Sequence, residues 1–186
     1  CGNVASIDGG AVHSRRGEPR MTNCVVVGNV AGNRGGGLYS SHNVSNSTLL
    51  VNVSRCSFAG NKATSGGGAI VVWFVRMSIE NSILFNDFGA QGSEVYNFGN
   101  TTTVSYCDIE GGVSGIFNTN GSAVITNGIN IDQDPMFVGG PSGTWVSDAS
   151  FNPTNFQSSL TDTNALWTPG ELAGKFVQPN TNQFNQ

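Results

Sequence analysis

The chain repeats itself, and the repeat restricts the fold more than any other feature. Three segments that begin at a small residue line up: Cys24-Val25-Val26-Val27-Gly28-Asn29, Cys56-Ser57-Phe58-Ala59-Gly60-Asn61 and Ser82-Ile83-Leu84-Phe85-Asn86-Asp87. A fourth begins Cys107-Asp108-Ile109-Glu110-Gly111. These anchors lie 32, 26 and 25 residues apart. Three glycine-led segments also recur, Gly9-Gly10-Ala11-Val12, Gly36-Gly37-Leu38-Tyr39 and Gly67-Gly68-Ala69-Ile70, with steps of 27 and 31. A period in this range is the mark of a solenoid, in which each unit buries its apolar face on the next. The longer step contains the polar run Ser40 to Thr48, which reads as a loop inserted in one coil.

Composition selects the kind of solenoid. Of 186 residues, 26 are glycine and 22 asparagine, whereas lysine occurs only at Lys62 and Lys175. Glycine and asparagine are poor helix formers, so helical repeats are excluded, and no leucine ladder is present. A β-solenoid remains, with short strands joined by Gly/Asn turns that tolerate left-handed backbone. Side chains in a strand alternate between faces. The inward pairs are then Cys24/Val26, Cys56/Phe58, Ser82/Leu84 and Cys107/Ile109, and just upstream Val51/Val53, Met77/Ile79 and Thr102/Val104. Turns near Asn23, Arg55, Asn81 and Tyr106 separate the two sets.

The cysteines fit this stacking. No Cys-x-x-Cys pair or zinc-type spacing occurs among Cys1, Cys24, Cys56 and Cys107. Side chains on adjacent coils, ~4.8 Å apart, point in parallel, which strains a disulfide, and two coils exceed the ~7 Å limit. The ladder cysteines are therefore expected as buried free thiols.

Gly-Gly-Ala followed by an aliphatic residue, at Gly9 to Val12 and Gly67 to Ile70, with Phe-x-x-Asn at Phe58 to Asn61, resembles the repeat of polymorphic outer-membrane proteins. A second set is Asn81 to Leu84, Val104 to Gly112 and Ile129 to Val138, with Asp132-Gln133-Asp134-Pro135-Met136-Phe137. It resembles the closing coils of large secreted bacterial β-helix proteins, which often bear a C-terminal surface-anchoring domain. The resemblance covers roughly residues 2 to 139. It implies an all-β, right-handed parallel β-helix of about five coils over 1–139 and an extracellular or cell-surface setting. The sequence departs from the pattern at Val26, which stands in the Phe place, and in the third coil, which lacks the final Asn. Residues 140–186 read as a small β-rich C-terminal segment, and the abrupt ends as those of a fragment.

The functional classes follow. A net charge of −4 without a basic block argues against nucleic acid, and no stretch approaches the ~18 apolar residues of a membrane span. The acidic set Asp108, Glu110, Asp132 and Asp134 is the candidate calcium or glycan site, because oxygen ligands from neighbouring turns suit Ca²⁺. Asp108 and Glu110 flank inward Ile109, so they should point outward. His13, Arg15 and Arg16, with Trp73, Trp145 and Trp167, are candidate glycan-contacting residues; a cation and a base are also what a uronate lyase needs. Trp73-Phe74 could form an exposed aromatic patch. Five Asn-x-Ser/Thr sequons occur, at Asn43, Asn46, Asn52, Asn100 and Asn120. The sequence favours a non-enzymatic scaffold or adhesin-like module, with no resident cofactor or metal, whose flat faces bind a glycan or another surface. A polysaccharide lyase or glycoside hydrolase, and a subunit that stacks end to end through exposed strand edges, are the competing readings.

Overall fold

The computed structural model describes residues 1–45, 47–135, 150–152 and 157–159. The chain divides into two compact units, Cys1–Pro135 and Met136–Gln186. In the second, Ser150–Asn152 pairs antiparallel with Gln157–Ser159. Trp145, Trp167 and most of the β-rich segment expected over 140–186 fall outside the described residues.

The first unit is a parallel β-helix. Sheet I stacks Val4–Ala5, Val30–Ala31 and Lys62–Ala63. Sheet II stacks Val12–Arg15, Leu38–Ser41, Ile70–Trp73, Val95–Phe98 and Phe117–Thr119. Sheet III stacks Arg20–Thr22, Leu50–Ser54, Arg76–Glu80, Thr101–Ser105 and Ala123–Asn127. Sheet IV stacks Val25–Val27, Ser57–Ala59, Ile83–Phe85 and Asp108–Ile109, and Ile131 adds a single bridge. Every pairing in these sheets is parallel, and each strand pairs with its equivalent one coil away. Sheets II and III thus pass through five coils. No α-helix occurs among the described residues; a short 3₁₀ turn covers Val113–Gly115.

The expected interior is the observed one. Val51, Val53, Met77, Ile79 and Val104 are buried, as are Phe58, Leu84 and Ile109. Cys56, Ser82 and Cys107 form a buried small stack, and Cys24 at its edge is half-buried. The turn residues before this stack, Asn23, Arg55, Asn81 and Tyr106, all have φ between 49° and 54°. That region is costly for a residue with a Cβ. The small side chain that follows closes the turn: Cys24, Cys56 and Cys107 Sγ lie 3.2–3.3 Å from the carbonyl two residues back, and Ser82 Oγ donates at 2.7 Å. The slot therefore selects a small side chain that also donates a hydrogen bond. All four cysteines are free.

Two details of the sequence alignment shift. Sheet II pairs Val12 with Leu38 and Ile70, so Gly9 stands over Gly35 and Gly67, one residue earlier in the second coil than expected. His13 accordingly stacks on Tyr39 and Val71, not on Ser40. Ser40 and Ser41 belong to a strand, so the inserted loop begins at His42.

Polar side chains also run through the interior. Asn3 N and Nδ2 donate to Asn29 Oδ1, and Asn29 N and Nδ2 donate to Asn61 Oδ1. Asn61 N and Nδ2 donate in turn to Asp87 Oδ1, and Nδ2 also reaches the Val26 carbonyl. Asn29 and Asn61 are fully buried. Each amide in this ladder satisfies a backbone N–H that sheet pairing leaves open at the turn. Removing one rung strands buried groups on both sides, at ~1–3 kcal/mol for each. Asn61→Ala should therefore lower unfolding free energy by about 3 kcal/mol or more, measured by urea denaturation, whereas Asn52→Ala on the outer face of sheet III should change it by less than about 0.5 kcal/mol.

Candidate functional site

The outer face of sheet II carries the densest set of functional side chains. Alternation turns Val12, Leu38, Ile70 and Val95 inward and sends His13, Arg15, Tyr39, Trp73, Tyr96 and Phe98 outward. The glycine turns before the strands fold against this face. Gly67 has φ +61° and lies against the Val71 side chain, so a Cβ there would collide as well as strain the backbone. Val71 is fully buried and Tyr39 nearly so, although both point away from the core.

The rings stack along the solenoid axis. Trp73 and Phe98 lie 3.8 Å apart at 9°, and Tyr96 and Phe117 lie 5.1 Å apart at 18°. Arg34, from the coil before, places its guanidinium 4.6 Å from the Trp73 ring centre. His13 meets Tyr39 edge-on at 5.1 Å. At the N-terminal end of this stripe lies a cleft of about 320 Å³. His13, Arg15, Tyr39 and Trp73 line it together with Asp8 and the His42-Asn43 pair from the inserted loop. Asp8 Oδ1 already accepts from Asn33 Nδ2 and the Arg34 amide. Arg16 has φ 60° and donates from Nε to Asn43 Oδ1 at 3.1 Å, which ties the inserted loop to the first coil. Burial pushes the Tyr39 hydroxyl above its ordinary pKa, so it stays a neutral phenol at physiological pH. His13 and Arg15 thus line one cleft with Trp73, more than fifty residues away in sequence, with Arg16 at its border.

The acidic set takes a different form. Glu110 Oε2 accepts from the Asn86 amide at 2.7 Å, Asp132 Oδ1 from the Gly111 amide and Asp108 Oδ1 from the Gln133 amide. Each of these carboxylates caps a backbone N–H of a neighbouring coil. Asp132 and Asp134 are exposed, Glu110 is exposed and Asp108 half-buried. Among the described residues no group of three His, Cys, Asp or Glu side chains is arranged to hold a metal ion.

Sequence reasoning missed a second acidic pair. Asp87 and Glu94 are 6% and 2% exposed and lie with Glu110 along a cleft of about 440 Å³. Asp87 ends the asparagine ladder, and its own amide donates to Glu94 Oε1. Glu94 stands in the column of Ala69, where the fifth coil supplies a turn, Gly111 to Gly115, instead of a sheet I strand. Burial, then the charge of Asp87, pushes Glu94 up to about 10, and burial pushes Asp87 up to about 6. Of the two buried carboxyls, Glu94 is pushed further, so it is the one that keeps its proton at neutral pH. The signal was in the alignment: Asp87 follows Asn29 and Asn61, and a charge replaces alanine at Glu94.

Comparison with known proteins touches one coil. Residues 55–72 match the Chlamydia polymorphic membrane protein repeat. No curated protein and no solved structure gives a match. The matched stretch holds Phe58 to Asn61 and Gly67 to Ile70, and the structure gives both a physical role. Phe58 fills the core, Asn61 is the central rung of the ladder, and Gly67 makes the left-handed turn into sheet II. The repeat implies a bacterial outer-membrane or cell-surface setting. No helix among the described residues is long and apolar enough to cross a membrane.

The acid pair makes stability depend on pH. Both carboxyls bind their proton more tightly in the native state than in the unfolded chain, where titration occurs near ~4. Their stabilisation is complete below that value and is lost as pH rises through about 6 for Asp87 and about 10 for Glu94. Melting temperature should therefore fall from acid to alkaline pH, and Glu94→Gln, which needs no proton, should flatten the slope above neutrality. Parallel slopes for the two proteins would show that Glu94 is not the group responsible.

Proposed function

We propose that this chain is an adhesin-like, non-enzymatic module of the extracellular cell surface that holds a glycan on the outer face of sheet II. The observation that supports this reading is the convergence of His13, Arg15 and Trp73 in one open cleft. The first coil supplies His13 and Arg15, the second Tyr39 and the third Trp73, so the site exists only in the wound solenoid. The cleft opens onto a long flat sheet, the shape that accepts an extended polymer, and its rim carries hydroxyl, amide and imidazole groups for sugar hydroxyls. A rigid solenoid keeps this rim fixed, so little ordering entropy opposes binding.

His13 beside Arg15 also supplies the base and cation of the competing lyase reading. Two assays separate them. In a polysaccharide array, wild type should bind a subset of glycans, and Ser41→Trp, which puts an indole at a residue that lines the cleft, should weaken that binding at least ~10-fold at unchanged melting temperature. Uronate polymers incubated with the protein should give no rise in unsaturated-product absorbance. A sustained rise abolished by His13→Ala would replace the binding reading with a lyase.

A further inference from the structure

Resting on that cleft as the binding site, we infer that its ligand is an anionic glycan, one bearing carboxylate or sulfate groups. Three observations point there, and the first is where the charges fall along the coils. Residues 1–79 hold seven of the eight Lys and Arg side chains and only two carboxylates, Asp8 and Glu18. Residues 80–135 hold seven carboxylates and no Lys or Arg. The solenoid converts this order in sequence into an order in space, because each coil stacks on the one before. The protein is acidic as a whole, yet its first three coils form a cationic end, and the cleft lies there.

The second observation is which surfaces the aromatic rings leave free. A neutral pyranose is usually gripped by an open aromatic face. Here Phe98 stacks on the Trp73 ring from the coil after, and the Arg34 guanidinium lies over it from the coil before. Tyr96 is likewise stacked on Phe117. With Phe98 and Arg34 on its two faces, Trp73 has its edge left for a ligand, and ring edges carry the positive end of the aromatic quadrupole. Edges and cations together favour an anion over a neutral sugar face.

The third is the state of the charged groups at the rim. One oxygen of the carboxylate in the cleft, Asp8 Oδ1, is engaged by Asn33 Nδ2 and the Arg34 amide. Arg16 is held at the border by Asn43. Arg15 lies on the exposed column of sheet II, over Ser41, with its planar fork suited to a carboxylate or sulfate. The acidic coils beyond would repel the same polymer, which confines it to the first three coils and gives it a preferred end.

The test uses polygalacturonate, dextran sulfate and neutral dextran, with single-stranded poly(dT) as a non-glycan polyanion, followed by affinity electrophoresis and titration calorimetry. Expected is binding of both acidic polymers, weakened at least ~10-fold between low and physiological ionic strength, and no binding of neutral dextran. Arg15→Gln and Arg34→Gln, checked for unchanged melting temperature, should each lower affinity for the acidic polymers several-fold. Equal binding of neutral dextran, blocked by Ser41→Trp, would overturn the anionic ligand while leaving glycan binding at the cleft intact. Absence of binding to any glycan would overturn both. Binding of poly(dT) as tight as that of the acidic glycans would replace glycan selectivity by general polyanion attraction.

Discussion

Asn61 shows the constraint on which the structure depends. In a parallel β-helix every residue is stacked on its equivalent one coil away, so a polar group may enter the core only if its neighbours in the column complete its hydrogen bonds. Asn61 meets that condition through Asn29 above, Asp87 below and the Val26 carbonyl beside it. The apolar columns of sheets II, III and IV obey the same rule with volume in place of hydrogen bonds, as Val53, Ile79 and Val104 show. The thiol and hydroxyl column obeys it at the turns. Stability is therefore shared between coils, and no coil could bury these groups alone.

The columns that hold the coils also build the surface. Once the inward residues of sheet II are fixed, alternation places His13, Tyr39 and Tyr96 in one outer column and Arg15, Trp73 and Phe98 in the next. Side chains distant in sequence become neighbours with no loop to position them. The loop inserted between Leu38–Ser41 and Leu50–Ser54 contributes His42 and Asn43 to the cleft. The fold supplies the platform and the insertion supplies one wall. At the other end, the Asp87–Glu94 pair marks where the fifth coil gives up its sheet I strand and the asparagine ladder has to stop.

Much of this was legible in the sequence, for physical reasons. The pairs Cys56/Phe58 and Ser82/Leu84 repeat because one slot holds only a small side chain and the next only a large one. The turns at Asn23, Arg55, Asn81 and Tyr106 were placed by the strands on either side. The register of sheet II was misjudged by one residue in the second coil because Gly35-Gly36-Gly37 offers two alignments and Leu38 and Tyr39 both look inward-facing. That slip hid the stacking of His13 on Tyr39. Asp87 and Glu94 were not singled out, because burial of a carboxyl depends on what the next coil fails to supply. Cleft membership of His13, Arg15 and Trp73 needed the winding itself.

Amide hydrogen exchange of the native protein, followed residue by residue by NMR, tests the central claim that the ladder binds the coils into one cooperative stack. The amides of Asn29 and Asn61 donate to side chains and not to backbone carbonyls. If the ladder carries the stack, these amides exchange as slowly as those of Met77 and Ile79 in sheet III and respond to denaturant with the same slope, because all open together. Fast, denaturant-independent exchange at Asn29 and Asn61, with sheet III still protected, would show that the turns open on their own and would contradict the account.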